Sequence, residues 1–219
     1  MSSEALLAWA RGPGFDWALA IFVLGMLLRL FEVLSLGRKT DLAEGRGSGV
    51  QGGIRTIFTR FWPRLSVFRR EPLRIINGYV FHIGFFAVLF LYAPHIELFD
   101  KVLGVSWPAL STGVIDALSV ITIASLILAL AMRLTSPVLR LISNSGDYLA
   151  WLLTLLPVLT GFLAFHHMLL PYTSMLAIHI LSVELLMVIA PFTKLTHMFS
   201  FVLSRWYQGY RAGHRGVES

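Results

Sequence analysis

Five long apolar runs dominate this chain, at about 15–36, 75–93, 113–132, 148–165 and 174–203. Crossing a hydrocarbon layer of ~30 Å takes ~20 apolar residues in a helix, so each run is long enough to span a membrane. The last is long enough to tilt or protrude. With 56% hydrophobic and 14% charged residues and a mean hydropathy of +0.73, the chain carries more apolar sequence than one water-soluble core can absorb. The sequence predicts an all-α polytopic membrane protein, a single helical-bundle domain over 1–219 with five transmembrane helices.

Charge placement orients that bundle. The segment between the first two runs, 37–74, holds nine basic residues (Arg38, Lys39, Arg46, Arg55, Arg60, Arg64, Arg69, Arg70, Arg74) against Asp41, Glu44 and Glu71. The next connection carries Glu97, Asp100 and Lys101, the third Arg133 and Arg140, the fourth no charge, and the tail Arg205, Arg211 and Arg215. Basic loops stay on the cytoplasmic side, so the N-terminus is expected outside and the C-terminus inside. Met1 to Trp17 lacks a basic leader and contains Glu4 and Asp16, so the first run reads as a retained span. The net charge of +6 lies mainly beside the membrane, where anionic lipid explains it; a nucleic-acid partner is not expected.

Within the basic loop, Ile54, Ile57, Phe58, Phe61, Trp62, Leu65 and Phe68 recur at helical spacing, with the arginines mostly off the stripe. An interfacial amphipathic helix bent at Pro63 follows, serving as lipid anchor, as docking surface for a cytoplasmic partner, or both. Gly45 to Gly53 reads as a flexible tether. Arg29 and Glu32, one turn apart near the inner end of the first span, read as a snorkelling ion pair.

The chemistry rests on histidine. There is no cysteine, which excludes disulfides, thioether-linked haem and cysteine-held iron–sulfur clusters within the chain. His82, His95, His166, His167, His179 and His197 lie in or at the edges of spans, where ionisable groups are costly and mark function. His82 sits in the inner half of the second span, and His95 is about 20 Å further out. The fifth span runs back: His179 lies near its outer end and His197, 18 residues later, about five turns further in on the same face. Depth then pairs His82 with His197 on the inner side and His95 with His179 on the outer side. Two imidazoles per iron suit two stacked haems b that pass electrons and leave no open coordination position.

The 13-residue step from His82 to His95 turns the side chain off the shared face, and Pro94 offers a way to redirect it. His166 or His167, at the outer end of the fourth span, are the alternative outer ligands. Otherwise they occupy a quinone site, where imidazole suits proton release. Arg74 and Lys194, at the inner boundary, are candidates for haem propionates, and Glu184 stands alone in an apolar helix as a proton relay or a neutral hydrogen-bonded acid.

The stretch from His179 through Pro191-Phe192-Thr193-Lys194-Leu195-Thr196-His197-Met198-Phe199-Ser200 resembles the last helix of the respiratory nitrate reductase gamma-subunit family. Phe81-His82-Ile83-Gly84, Ala93-Pro94-His95 and His179-Ile-Leu-Ser-Val-Glu184 look more like the branch in sulfite-reductase-linked and heterodisulfide-reductase-like membrane complexes. The resemblance, over about 74–215, implies a cytochrome b with two haems in a bacterial or archaeal cytoplasmic membrane. It also implies a cytoplasmic iron–sulfur partner and electron exchange with menaquinone or ubiquinone. The second span departs from the family: it places Tyr92 at the ten-residue spacing and His95 three residues later. The competing expectations are a haem-free membrane anchor and a transporter using these histidines for protons or metal ions; a transporter favours paired repeats and helices broken at midplane.

Overall fold

The computed structural model describes residues 2–36 and 41–217; Arg38 and Lys39 lie outside them. Among the described residues every regular element is helical. Helix α1 (Ser3–Trp9) runs through a widened turn containing Pro13 into α2 (Phe15–Ser35). Then come α3 (Gly49–Thr59), α4 (Leu65–Arg70), α5 (Pro72–Leu91), α6 (Ala93–Leu103) and α7 (Thr112–Thr135). After these follow α8 (Pro137–Ile142), α9 (Ser145–Phe165), α10 (Tyr172–Ile189) and α11 (His197–His214).

Among the described residues five helices are long and apolar enough to cross a membrane: Ser3–Ser35, Pro72–Leu91, Thr112–Thr135, Ser145–Phe165 and Tyr172–Phe192. The protein is a multi-pass helical membrane bundle. Its outer surface is apolar, with Trp17, Leu24, Phe31 and Ile83 exposed, while Asn77, Ser119, Thr122, Ser125, Thr154, Thr160 and Ser182 are buried. That inversion is expected where lipid is the solvent, because packing and interhelical hydrogen bonds, not water exclusion, hold such helices together. The α5/α7 seam shows both. A Cβ on Gly84 would collide with the Thr122 hydroxyl. Asn77 Nδ2 donates to the Ser125 carbonyl at 3.0 Å, and Ser125 Oγ returns a bond to Asn77 Oδ1 at 3.0 Å.

Two expectations change. The fifth run is not one helix over 174–203: α10 ends at Ile189, tight turns follow at Ala190–Phe192 and Lys194–Thr196, and α11 starts at His197. Pro191 supplies the reason, since it has no N–H to continue the ladder and its ring crowds the preceding turn. The break is stapled to α2. Arg29 Nε donates to the Pro191 carbonyl at 2.8 Å, Arg29 also pairs with Glu32 at 2.6 Å, and a Cβ on Gly25 would come within 2.7 Å of the Pro191 ring.

The second change concerns the glycine-rich stretch. Its end is not a tether: Gly49, Gly52 and Gly53 begin α3 and pack against α11, Gly49 on the Tyr210 ring, Gly52 on Gly209 and Gly213, and Gly53 on the Trp206 ring. A Cβ on Gly52 would meet the Gly209 carbonyl, and one on Gly213 the Ser48 carbonyl at 2.6 Å. Small residues four apart on two helices let the backbones touch. Asp41 clasps the far end, taking bonds from Arg215 at 2.8 and 2.9 Å. Around Pro63 the chain turns between α3 and α4, leaving Phe58, Trp62 and Leu65 exposed.

Candidate functional site

Among the spanning helices, α5 packs on α7, α7 on α9, α9 on α10 and α10 on α2. Helices α5 and α10 are therefore linked through their neighbours, and histidines meet across the interval at two levels. The rings of His82 (α5) and His197 (first residue of α11) have centres 6.3 Å apart and are nearly perpendicular, at 83°. Those of His95 (α6) and His179 (α10) are 6.2 Å apart and nearly parallel, at 21°. A metal held by two imidazole nitrogens at about 2 Å each puts the ring centres about 6 Å apart. Both pairs have that separation.

Three of the four rings are also fixed in one tautomer by a backbone carbonyl. His82 Nδ1 lies 2.7 Å from the Gly78 carbonyl, His95 Nδ1 3.0 Å from Val88 O, and His197 Nδ1 2.9 Å from Lys194 O. Carbonyls only accept, so these three Nδ1 atoms carry the proton and Nε2 keeps its lone pair. His179 Nδ1 is 3.3 Å from Thr160 Oγ1, whose own proton goes to Leu156 O at 2.6 Å. Holding the far nitrogen of a ligating imidazole in this way orients the ring and raises its basicity.

The local chain explains the positions. Helix α5 stops at Leu91 where Tyr92 turns extended, at φ −86° and ψ 128°, and caps the start of α6, whose first turn carries Pro94. The stop frees carbonyls of the last turn of α5, and the His95 ring takes one of them, Val88 O. His197 reaches His82 through the break after α10, so the shared-face spacing of a continuous helix is not what aligns it. Gly161 of α9 lets that helix close on His179, since a Cβ there would meet its ring at 3.0 Å.

The remaining predicted residues are placed elsewhere. His166 Nε2 is 2.7 Å from Asp116 Oδ1, and the His167 ring stacks on Tyr172 at 4.8 Å. The structure thus brings His95, and neither of these two, to His179. Lys194 Nζ lies 2.7 Å from Asp147 Oδ2, within a cluster that includes Arg133 at 3.7 Å, so its charge is already met by this chain. Arg74 is half-exposed beside Glu71 at 4.0 Å. Glu184 is 6% exposed, and its Oε1 has no hydrogen-bond partner among the described residues. The sequence reading missed Asp116, Thr160, Asp147 and Arg29's hold on Pro191, all of which act through contacts many residues away. Among the described residues no three metal-ligating side chains gather as a protein cage would require; the histidines come in twos.

Fold and site define a multi-pass helical membrane protein with two stacked pairs of facing histidines. It is 30% identical over 215 residues to a protein of Nitratidesulfovibrio vulgaris strain Hildenborough, a match covering 93% of this chain and 92% of the relative, and the chain belongs to that protein's family. The relative's description, simply "Protein", specifies no activity. No protein-family model matches the chain, and no solved structure matches it.

Proposed function

We propose that this protein is a membrane cytochrome b subunit carrying electrons between a quinone/quinol pool and a cytoplasmic iron–sulfur partner. The observation that carries the reading is the pair of ring separations, 6.3 and 6.2 Å, with each Nδ1 in hydrogen-bond contact with an oxygen. Donor chemistry fits the group: in each pair two imidazoles could offer an Nε2 lone pair to a haem iron. His82 and His197 would hold one haem b, and His95 and His179 the other. When bound, the haems supply one-electron transfer.

The chain's own residues do the rest. Carbonyls of Gly78, Val88 and Lys194 and the Thr160 hydroxyl hold the imidazoles in orientation. The Pro191 break and its Arg29 staple set the height of His197. Arg74 remains the basic side chain at that level suited to a haem carboxylate. The positive-inside distribution supports an outside N-terminus, a cytoplasmic C-terminus and a bacterial or archaeal inner membrane. Arginines of the α3 to α4 segment, beside exposed Phe58, Trp62 and Leu65, supply a face for lipid headgroups and for the partner.

A dithionite-reduced minus air-oxidised absorption spectrum of the purified full-length chain tests the reading. Sharp b-type bands that also appear on adding a quinol support it. A featureless spectrum leaves the anchor and transporter readings.

A further inference from the structure

The Asp116–His166 contact is absorbed by neither histidine pair. Asp116 lies in the second turn of α7, and His166 caps the C-terminus of α9, 50 residues later. Their side chains are 35% and 34% exposed, at the same end of the bundle as His95 and His179. A run of ring contacts leads from one to the other. His166 touches Phe162 at 4.4 Å and Phe165 at 5.0 Å; Phe165 meets Tyr92 at 6.2 Å, and Tyr92 meets His95 at 5.2 Å.

We propose that His166, oriented by Asp116, is the base that takes the proton from a quinol-class substrate docked on the Phe162, Phe165 and Tyr92 rings beside the His95/His179 pair. This rests on the functional reading above and adds a proton acceptor, an orienting carboxylate and a docking surface. With Nε2–H donated to the Asp116 carboxylate, His166 keeps its Nδ1 lone pair, and the carboxylate stabilises the imidazolium formed when that lone pair takes a proton. A lysine or arginine would tie α7 to α9 as firmly; an imidazole adds the capacity to accept and release a proton near neutral pH.

The balance is that of a dihydroquinone giving a quinone, two protons and two electrons. One O–H bond breaks with its proton passing to His166 Nδ1 and on to water at this half-exposed end; the other hydroxyl proton leaves to the same water. The two electrons would leave one at a time to the haem that His95 and His179 would hold, which is the oxidant the proposed function supplies. Asp116 acts through His166 and is a positioning residue.

Stopped-flow reduction by menadiol of the purified holoprotein tests this, with dithionite as a reductant that needs no docking site and haem content measured alongside. His166→Gln is expected to keep both haems and full dithionite reduction while the maximal menadiol rate falls about 100-fold or more. Its half-saturating menadiol concentration should stay near wild type. Asp116→Asn should fall less, and Asp116→Glu should recover most of the rate. Menadione binding, read by quenching of tryptophan fluorescence, should be retained in all three. A His166→Gln rate within about threefold of wild type, far short of a general base's contribution, overturns the proposal. So does haem loss accompanying the rate loss in both His166→Gln and Asp116→Asn, which would make the contact structural. Wild-type protein that holds haem yet is not reduced by menadiol overturns the quinol assignment while leaving the paired-histidine reading intact. Wild-type protein without haem overturns both.

Discussion

The two histidine pairs have nearly equal ring separations but are built in opposite ways. His82 and His197 are exposed, and the second reaches its place through a broken helix held by Arg29. His95 and His179 are largely covered; one hangs from the cut end of α5, and the other is backed by Thr160 and by the close approach of Gly161. The first pair depends on a joint between segments, the second on packing around it. Damage to one should therefore leave the other standing.

The largest effect separates them outright. His82→Ala or His197→Ala should each remove one haem and abolish transfer to the cytoplasmic partner while quinol still reduces the other. His95→Ala or His179→Ala should remove the other haem and block quinol-linked reduction. Spectra and haem content of the four variants check this. If His95→Ala keeps both haems and His167→Ala loses one, the outer ligand belongs to the end of α9.

A smaller effect comes from Thr160→Val, which keeps shape and deletes the acceptor for His179 Nδ1. Loss of such a supporting bond weakens metal retention by about 10- to 100-fold. Haem titration should show weakening at the His95/His179 pair alone. Arg29→Ala probes the other pair. It removes a partly screened charged hydrogen bond to Pro191 O, worth about 1 kcal/mol after discounting for exposure. A small fall in thermal midpoint with a shifted His82/His197 spectrum is expected, and an unchanged spectrum would show that the staple does not set His197.

The smallest effect lies outside both pairs, at the Asp41 clasp. Hydrogen bonds from Arg215 and from the Ala43 N–H hold the Asp41 carboxyl down to about 2, from an ordinary 3.8. A depressed carboxyl stabilises the folded form fully above its ordinary value, and that contribution fades as pH falls through about 2. Hydrogen exchange of residues 41–46, expressed as protection factors that remove the intrinsic pH dependence of amide exchange, should therefore be unchanged from pH 7 to about 5, and protection should be lost only in strong acid. Asp41→Asn should accelerate it at neutral pH and leave haem content alone.

Much of this architecture was legible from residue spacing. Apolar run lengths gave five spans, and depth arithmetic along two antiparallel helices put His82 near His197 and His95 near His179. The face argument was less sound than the depth argument, because Pro191 breaks the helix over which it was made. Pro94 was readable as the device that turns His95, since a proline acts on its own neighbours. The glycines at 49, 52 and 53 were misread, because low side-chain content looks like flexibility until a partner helix with Gly209 and Gly213 is seen against it. Asp116, Thr160 and the bond from Arg29 to Pro191 could not be found by spacing. Their roles arise from contacts with α9, α10 and the Pro191 break, which only the packed bundle brings into reach.

The most direct measurement is the haem-to-protein ratio of the purified full-length chain, by pyridine haemochrome assay against amino-acid analysis. If each of the two facing imidazole pairs holds a haem as proposed, the ratio is two b-type haems per chain. A ratio of one would leave a pair without its cofactor and contradict the two-site scheme; a ratio of zero would contradict the cytochrome itself.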